Sequence, residues 1–385
     1  MSIIVENDET VVVCHQLYTK KVYRNTLARA PNFDDIKSFQ LKEEYFAIGT
    51  PFIEEGIKIG ENILSKNGKR KRRKRKSPFS MEEIKAQEHH ELVVGKLQTA
   101  LDSVKDQFKT VRNSNIEQSM EKKSSKFSEI DCSNPVATNG LFPKLIKGQF
   151  LTENGSEFPI QVKLDSDSLL IPGNARYLMS DMEGLKQIVE ESKNGGKYNC
   201  IVMDPPWENK SVKRGKKYNW LSFDDIIKMP VPQLTEEGCY VIVWVTNKQR
   251  IMNFVKKTLF PMWNIDFQVI WHWVKVTIAG KPLYPFDSLH KKPYETIIIG
   301  RYNPKRSHQP KFDENMKELV ICSIPCSQHS HKPPLSEILQ RYTDLQENSK
   351  CLEMFARNLI PGWTSWGNEV LKFQNVSYFE EAKIS

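Results

Sequence analysis

Asp204-Pro205-Pro206-Trp207 follows the apolar run Cys200-Ile201-Val202-Met203, so a carboxylate stands where a strand should end. Strand ends are where open α/β sheets bind their ligands. Two successive prolines have no N–H, fix φ, and push each preceding residue away from helical backbone. Asp204 and Pro205 are therefore expected to be extended, with acceptors pointing outward, and Trp207 to add a flat aromatic plate beside them. An acceptor-only pocket next to such a plate suits a planar ring carrying an exocyclic amine, and adenine has that shape. Asp204, Pro205, Pro206 and Trp207 form the candidate catalytic set.

The tetrapeptide resembles the DPPW signature of the adenine-N6 methyltransferases related to the messenger-RNA N6-methyladenosine enzyme. Further stretches resemble the same family in order and spacing: Trp244-Val-Thr-Asn, Trp271-His-Trp-Val-Lys, His290-Lys-Lys-Pro-Tyr-Glu, Ser330-His-Lys-Pro-Pro, and the run from Phe355-Ala-Arg-Asn to Trp366-Gly-Asn-Glu-Val. The likeness covers roughly residues 175 to 380 and does not reach before about 140. It implies a Rossmann-like α/β domain using S-adenosyl-L-methionine as methyl donor.

The chain contains no G-x-G-x-x-G and no P-loop, so nucleotide-phosphate binding is unsupported. S-adenosyl-L-methionine has no phosphate; it needs polar groups for its ribose and adenine and a cation for its carboxylate. The resemblance assigns Asp181, with Met182, to the cofactor adenine. It places Lys332, with Ser330 and His331, at the methionine carboxylate beside Asp204. Phe355, Arg357 and Asn358 fall at the ribose, and Asn368 at the family's Gly-Asn contact, followed here by Glu369 where the messenger-RNA enzyme has glutamine.

For the substrate, the loop after Trp207 carries Asn209, Lys210, Lys213, Arg214, Lys216 and Lys217 interleaved with Tyr218 and Trp220. Alternating basic and aromatic residues fit phosphate contact with base stacking. Trp271 and Trp273 share a face by period two, so both suit a core; the resemblance places Trp273 by the target base. His290, Lys292 and Glu295 match the family's pocket-closing loop. Cys322-x3-Cys326-x2-His329-x-His331 offers four nitrogen and sulfur ligands, but His-x-His cannot easily turn both rings to one ion. No metal is expected.

These residues need a scaffold. Strands are expected at Cys200 to Met203, Tyr240 to Val245, Phe267 to Val276, Thr296 to Ile299, Leu319 to Ser323 and Cys351 to Phe355. Helices are expected at Gly184 to Ser192, Phe223 to Lys228, Lys248 to Leu259 and Leu335 to Tyr342. Such alternation argues a doubly wound α/β sheet over residues 176 to 380. Before it, residues 1 to 66 read as a small N-terminal unit with extended pieces at Thr10 to Cys14 and Leu17 to Tyr23 and a helix at Glu54 to Ser65. Residues 67 to 79 are a basic linker. In 80 to 138, Ser80 with Glu83 starts a helix, Ile84 to Phe108 keep helical spacing to about 110, and a polar linker occupies 112 to 138. A short β region at 139 to 175 includes Gly148 to Phe150, Phe158 to Leu164 and Ser168 to Ile171, with Asn154-Gly155 as a hairpin turn.

Composition sets the outer limits. The 385 residues exceed one average domain, and 39% hydrophobic content fills a core. Seven cysteines without regular spacing and no leader-like segment read as free thiols in a reducing compartment. The longest apolar run near the core, Tyr240 to Val245, is too short to span a bilayer. Net charge is +9, and Lys69 to Lys76, all lysine and arginine, supply nearly all of it. That block reads as a nuclear import signal or a nucleic-acid-binding arm.

The reading of the sequence is an adenine-N6 methyltransferase acting on RNA, a structured nuclear species such as small nuclear RNA. Its partners are that RNA and the nuclear import machinery, with no membrane and no obligate protein partner. A DNA adenine methyltransferase is the alternative within the class. A catalytically silent RNA-binding scaffold is the alternative outside it, and an intact DPPW argues against that. Neutralising residues 69 to 76 is expected to abolish nuclear accumulation of the tagged chain while the purified protein keeps its melting temperature; continued accumulation would discard the import role.

Overall fold

The computed structural model describes residues 2–29, 34–52, 81–115, 151–164, 167–208, 220–288, 291–305, 316–328 and 330–382. The expected helix at Glu54 to Ser65, the basic block, the piece at Gly148 to Phe150 and nearly all of the 112 to 138 linker lie outside the described residues.

Seven strands carry the site: β10 (Tyr198–Met203), β11 (Thr235–Val245), β12 (Ile265–Lys275), β13 (Tyr294–Tyr302), β14 (Val320–Ser323), β15 (Cys351–Met354) and β16 (Thr364–Trp366). Among the described residues nine further strands precede them: β1 (Ile3–Glu6), β2 (Thr10–Val13), β3 (Thr26–Arg29), β4 (Asp34–Lys37), β5 (Phe39–Leu41), β6 (Thr152–Glu153), β7 (Ile160–Leu164), β8 (Asp167–Ile171) and β9 (Arg176–Leu178); β17 (Phe379–Glu381) follows. The main sheet has the order β1-β2-β14-β12-β13-β11-β10-β15-β16-β9-β6. All its strands run one way except β13 and the two edges, β1 and β6. This is the expected α/β class, with a large and mainly parallel sheet.

Continuous apolar runs form these strands because both faces are covered, as parallel strands require. Ile201 and Met203 face the helix Leu185–Gly195 and the segment Gln249–Leu259, packing with Leu185, Ile188, Ile251 and Val255. Cys200 and Val202 face the other layer, with Ile242, Trp244, Ile338 and Leu339 of the helix Ser336–Tyr342. Cys200–Met203 pairs in parallel with Tyr240–Val243 on one side and Cys351–Met354 on the other. The chain leaves β10 toward β11 and leaves the neighbouring β15 toward β16, in opposite directions along the sheet, which opens a crevice between their carboxyl ends.

Three parts of the sequence reading change. Leu17 to Tyr23, expected to be extended, belongs to a helix, α1 (His15–Val22). Its buried residues His15 and Thr19, with Tyr23 just past its end, recur every fourth position, a helical period that so short a run conceals. Residues 1–66 do not stand apart where described: β2 pairs with β14, β3 with β7, and β5 with β17 near the chain's far end. Asn154-Gly155 does not turn a hairpin into Ile160–Leu164. Thr152–Glu153 pairs with β9, β7 pairs with β8, and Asn154 instead donates to the carbonyls of Phe158 and Pro172, both at 2.9 Å.

The helix expected from residue 80 is α2 (Met81–Asn115), and it runs past the expected linker start at 112. Leu97, Leu101, Val104 and Phe108 lie against Val12, Val274, Val276, Val320 and Cys322, so α2 roofs one half of the sheet. Lys96 pairs with Glu318, and the buried His90 bonds Tyr294 Oη at 3.0 Å. Burying each of Leu97, Leu101, Val104 and Phe108 contributes about 1.5–3 kcal/mol. Leu97 has no exposed surface, so Leu97→Ala is expected to lower unfolding free energy by about 2–5 kcal/mol in urea titrations. A loss under about 1 kcal/mol would mean that α2 is not integral to the core.

Candidate active site at the strand carboxyl ends

Four neighbouring strands deliver the predicted site residues to one edge. Asp204 follows β10; Phe355, Arg357 and Asn358 follow β15; Asn368 and Glu369 follow β16; Asp181 and Met182 follow β9. Two loops approach so closely that a Cβ on Gly367 would meet the Ala356 carbonyl oxygen at 2.8 Å. Trp366 Nε1 donates to Ser180 Oγ at 2.9 Å, tying the β16 and β9 ends together. Asp181 accepts the Glu183 N–H at 3.1 Å and is exposed, as is Asn368.

Lys332 arrives from the loop after β14. Its Nζ is 3.6 Å from Asp204 Oδ2, as is Arg357 Nη1. Those distances give ion pairing without hydrogen bonds, so the Asp204 lone pairs stay open to a donor. Each cation is held from behind. Lys332 pairs with Glu295, which Lys275 also contacts at 2.5 Å. Arg357 Nε is 3.2 Å from Glu369, which Lys372 contacts at 2.9 Å. The ammoniums of Lys332 and Lys275 also lie over the rings of Trp244 and Trp273, at 4.8 and 4.7 Å. Ser330 and Phe355, each two residues before one of the cations, have positive φ of 70° and 61°. Non-glycine residues hold that conformation only where their surroundings impose it.

Protonation follows the same geometry. Burial would raise the Glu295 carboxyl, but Lys332 and Lys275 outweigh it and hold it down at about 2. Burial likewise opposes the Lys332 charge, and Asp204 with Glu295 overrides it, raising the ammonium. Glu369 goes down because Lys372 and Arg357 outweigh burial. Glu353 has no such neighbour close enough: burial, reinforced by Asp204 and only partly opposed by Arg357, pushes it up to about 8. Burial also lowers His331 to about 4, leaving it neutral and stacked on Phe373. Among the described residues Glu353 Oε2 and His331 Nδ1 are buried with no hydrogen-bond partner.

Several predicted residues have other surroundings. Trp207 is not an open plate: its Nε1 donates to the Trp244 carbonyl at 2.8 Å, and its ring lies edge-on to Phe223 and Phe254. It is a buried strut under the tetrapeptide. Trp273 is buried too, with Nε1 donating to Ser323 Oγ at 2.8 Å, so neither ring presents a free face to a base. The Pro205 carbonyl accepts the Trp207 N–H at 2.8 Å and keeps one lone pair; the Pro206 carbonyl accepts from Leu221. Trp220 is partly exposed at the loop's end, and Lys292 donates to the Phe286 carbonyl at 3.3 Å. Asn209, Lys210, Lys213, Arg214, Lys216, Lys217, Tyr218 and His290 lie outside the described residues. Cys322 packs under α2, whereas Cys326 packs near Tyr23 and Phe46.

Sequence reasoning missed Lys275, Glu353 and Lys372. Glu353 carried a readable signal, an acid inside the otherwise apolar Cys351-Leu-Glu-Met-Phe355. Lys275 lay in a quoted stretch without a role.

Residues 198–369 match the MT-A70 family model. Those residues are similar to that family's domain. MT-A70 is a methyltransferase family whose members generally use S-adenosylmethionine. The chain is 43% identical over 234 residues to N(6)-adenine-specific methyltransferase METTL4 of Mus musculus, covering 60% of this chain and 49% of that one. It is 32% identical over 215 residues to the N6-methyladenosine RNA methyltransferase MTA1 of Pyricularia oryzae, covering 54% and 55%. It is 30% identical over 216 residues to the DNA N6-methyl methyltransferase of Caenorhabditis elegans, covering 56% of each. The chain thus spans about half the length of the curated relatives it matches. Its run of motifs from Asp204 to Val370 resembles methyltransferase-like protein 4 in order and spacing, in agreement with the identity to METTL4.

A glutamic acid held protonated in the fold and ionised when unfolded lowers stability as pH rises from about 4.5 through about 8. Glu353→Gln removes that slope. The melting temperature of the variant is expected to match the parent near pH 5 and to exceed it increasingly toward pH 8.5. A difference independent of pH would refute the protonated acid.

Proposed function

We propose that the chain transfers a methyl group from S-adenosyl-L-methionine to N6 of adenosine in RNA, with structured nuclear RNA such as small nuclear RNA, including 2′-O-methyladenosine targets, as the substrate class. The observation that carries this reading is the open Asp204 carboxylate, set beside two cations at the carboxyl end of β10 in an MT-A70 domain.

The residues present fit the cofactor. Lys332 and Arg357, paired with Asp204 at 3.6 Å, keep N–H donors for a carboxylate and ribose oxygens. The exposed Asp181 and Asn368 offer polar groups along the same edge for the adenine and ribose. The buried, unpartnered Glu353 Oε2 marks a polar pocket floor awaiting a donor. When bound, S-adenosyl-L-methionine supplies an electrophilic methyl carbon on sulfur.

Asp204 and the free lone pair of the Pro205 carbonyl accept the N6–H groups and hold the amine lone pair toward that carbon. Neither residue needs to remove a proton before attack, because the nitrogen becomes strongly acidic only once methylated. Rate enhancement then comes from alignment and exclusion of water. With Trp207 and Trp273 buried, ring clamping falls to Tyr218 and Trp220 of the basic loop. A target inside a duplex must be flipped out, which favours single strands and unpaired loops. DNA is the second reading, favoured by the 30% identity to a relative named as a DNA enzyme. Nuclear entry through residues 69 to 76 belongs to the same proposal.

Tritiated-methyl transfer to matched single-stranded RNA and DNA oligonucleotides separates these readings; transfer to neither would leave the silent scaffold. A hydrogen bond to a charged acceptor contributes about 1.5–3 kcal/mol and to a neutral one about 1. Asp204→Asn is therefore expected to slow single-turnover transfer roughly tenfold, and Asp204→Ala on the order of a hundredfold or more. Equal inactivity of the two variants would instead mark Asp204 as a proton-removing base.

A further inference from the structure

We infer that Phe52 and Tyr284 form a stacking platform for an unpaired nucleobase flanking the target nucleotide, with Lys281 and Lys291 receiving the adjoining phosphates. This rests on the nucleic-acid substrate reading and adds a surface to it.

The platform is built by backbone bonds between segments far apart in sequence. Ile278 N–H donates to the Ile48 carbonyl at 2.9 Å and Phe52 N–H to the Leu283 carbonyl at 2.8 Å, so residues 48–52 run beside the β12–β13 connection. The Phe52 ring then meets the Tyr284 ring at 5.3 Å between centroids, tilted by 31°. Phe52 is nevertheless 48% exposed, an unusual state for a phenylalanine already pinned by its main chain. On Tyr284, Lys291 Nζ lies 5.5 Å from the ring centroid. Lys281 and Lys291 are exposed, against one exposed carboxylate, Asp287, in the same connection. Aromatic faces beside cations suit a single strand, since every base has a π-face and every link a negative charge.

Its position suits the same substrate. Leu283 N–H donates to the Lys275 carbonyl at 2.8 Å, Lys275 contacts Glu295, and Glu295 contacts Lys332 beside Asp204. The platform is therefore joined by a short relay of contacts to the carboxylate at Asp204.

The test uses the full chain and RNA oligonucleotides with one adenosine among uridines, 3, 6, 9 and 12 nucleotides long. Affinity is measured by fluorescence anisotropy, and contacts by photocross-linking of 5-iodouridine at each flanking position. The parent is expected to gain about tenfold in affinity once the flank reaches the platform, as one base–aromatic stack contributes. Phe52→Leu should lose that gain, Phe52→Tyr should keep it, and all three proteins should bind the trinucleotide equally, which also reports intact folding. Adducts at one flanking position should map to Phe52 or Tyr284. Parental affinity of Phe52→Leu for the long oligonucleotides would overturn the inference. Methyl transfer is scored separately: failure of the parent to methylate any oligonucleotide counts against the adenine reading, while affinity and adducts still decide the platform.

Discussion

Two cations share one carboxylate oxygen, and the rest of the site is arranged so that they can. Lys332 and Arg357 both lie 3.6 Å from Asp204 Oδ2, and each is anchored by a second acid, Glu295 or Glu369, that leans on a further lysine. Charges taken out of water at such a depth persist only when each has a partner. The network draws on β12 and β13 and on the loops after β10, β14, β15 and β16, so it fixes the relative heights of six chain segments. A slip of one residue in β12 or β13 would turn Lys275 or Glu295 to the opposite face.

Local backbone cost accompanies this arrangement. The two cations are each preceded by a residue in the left-handed region, Ser330 and Phe355, and neither is a glycine. Glu353 sits at the same edge but outside the alternation, close enough to Asp204 to be held protonated and too loosely matched to Arg357 to ionise. A neutral acid can donate as well as accept, which distinguishes it from Glu295 and Glu369.

Much of the fold was legible because parallel strands buried on both faces must be apolar throughout, and Tyr240 to Val245 or Cys200 to Met203 admit few other structures. The order of motifs likewise identified Asp204, Lys332, Arg357 and Glu295 before any geometry brought them together. What stayed hidden depends on contacts between distant residues. His15 to Val22 is too short for its period to show, and the Asn154-Gly155 pair has the composition of a hairpin turn while its side chain braces a different loop. Trp207 and Trp273 illustrate the same limit for the site. A tryptophan beside a catalytic residue reads alike whether it faces the ligand or props the backbone, and only the partner of its indole N–H decides.

The central sheet also does not respect the boundary that similarity draws. Residues 198–369 hold the recognisable domain, yet β14 pairs with β2 from the first residues of the chain, and the apolar strip of β12 and β14 is roofed by α2. A fragment cut at the start of the family match would carry the whole charge network and still expose an unpaired strand edge beside a bare hydrophobic face, the combination that drives edge-to-edge association. The residues before the family match thus supply the partner strand and the cover that this part of the sheet needs.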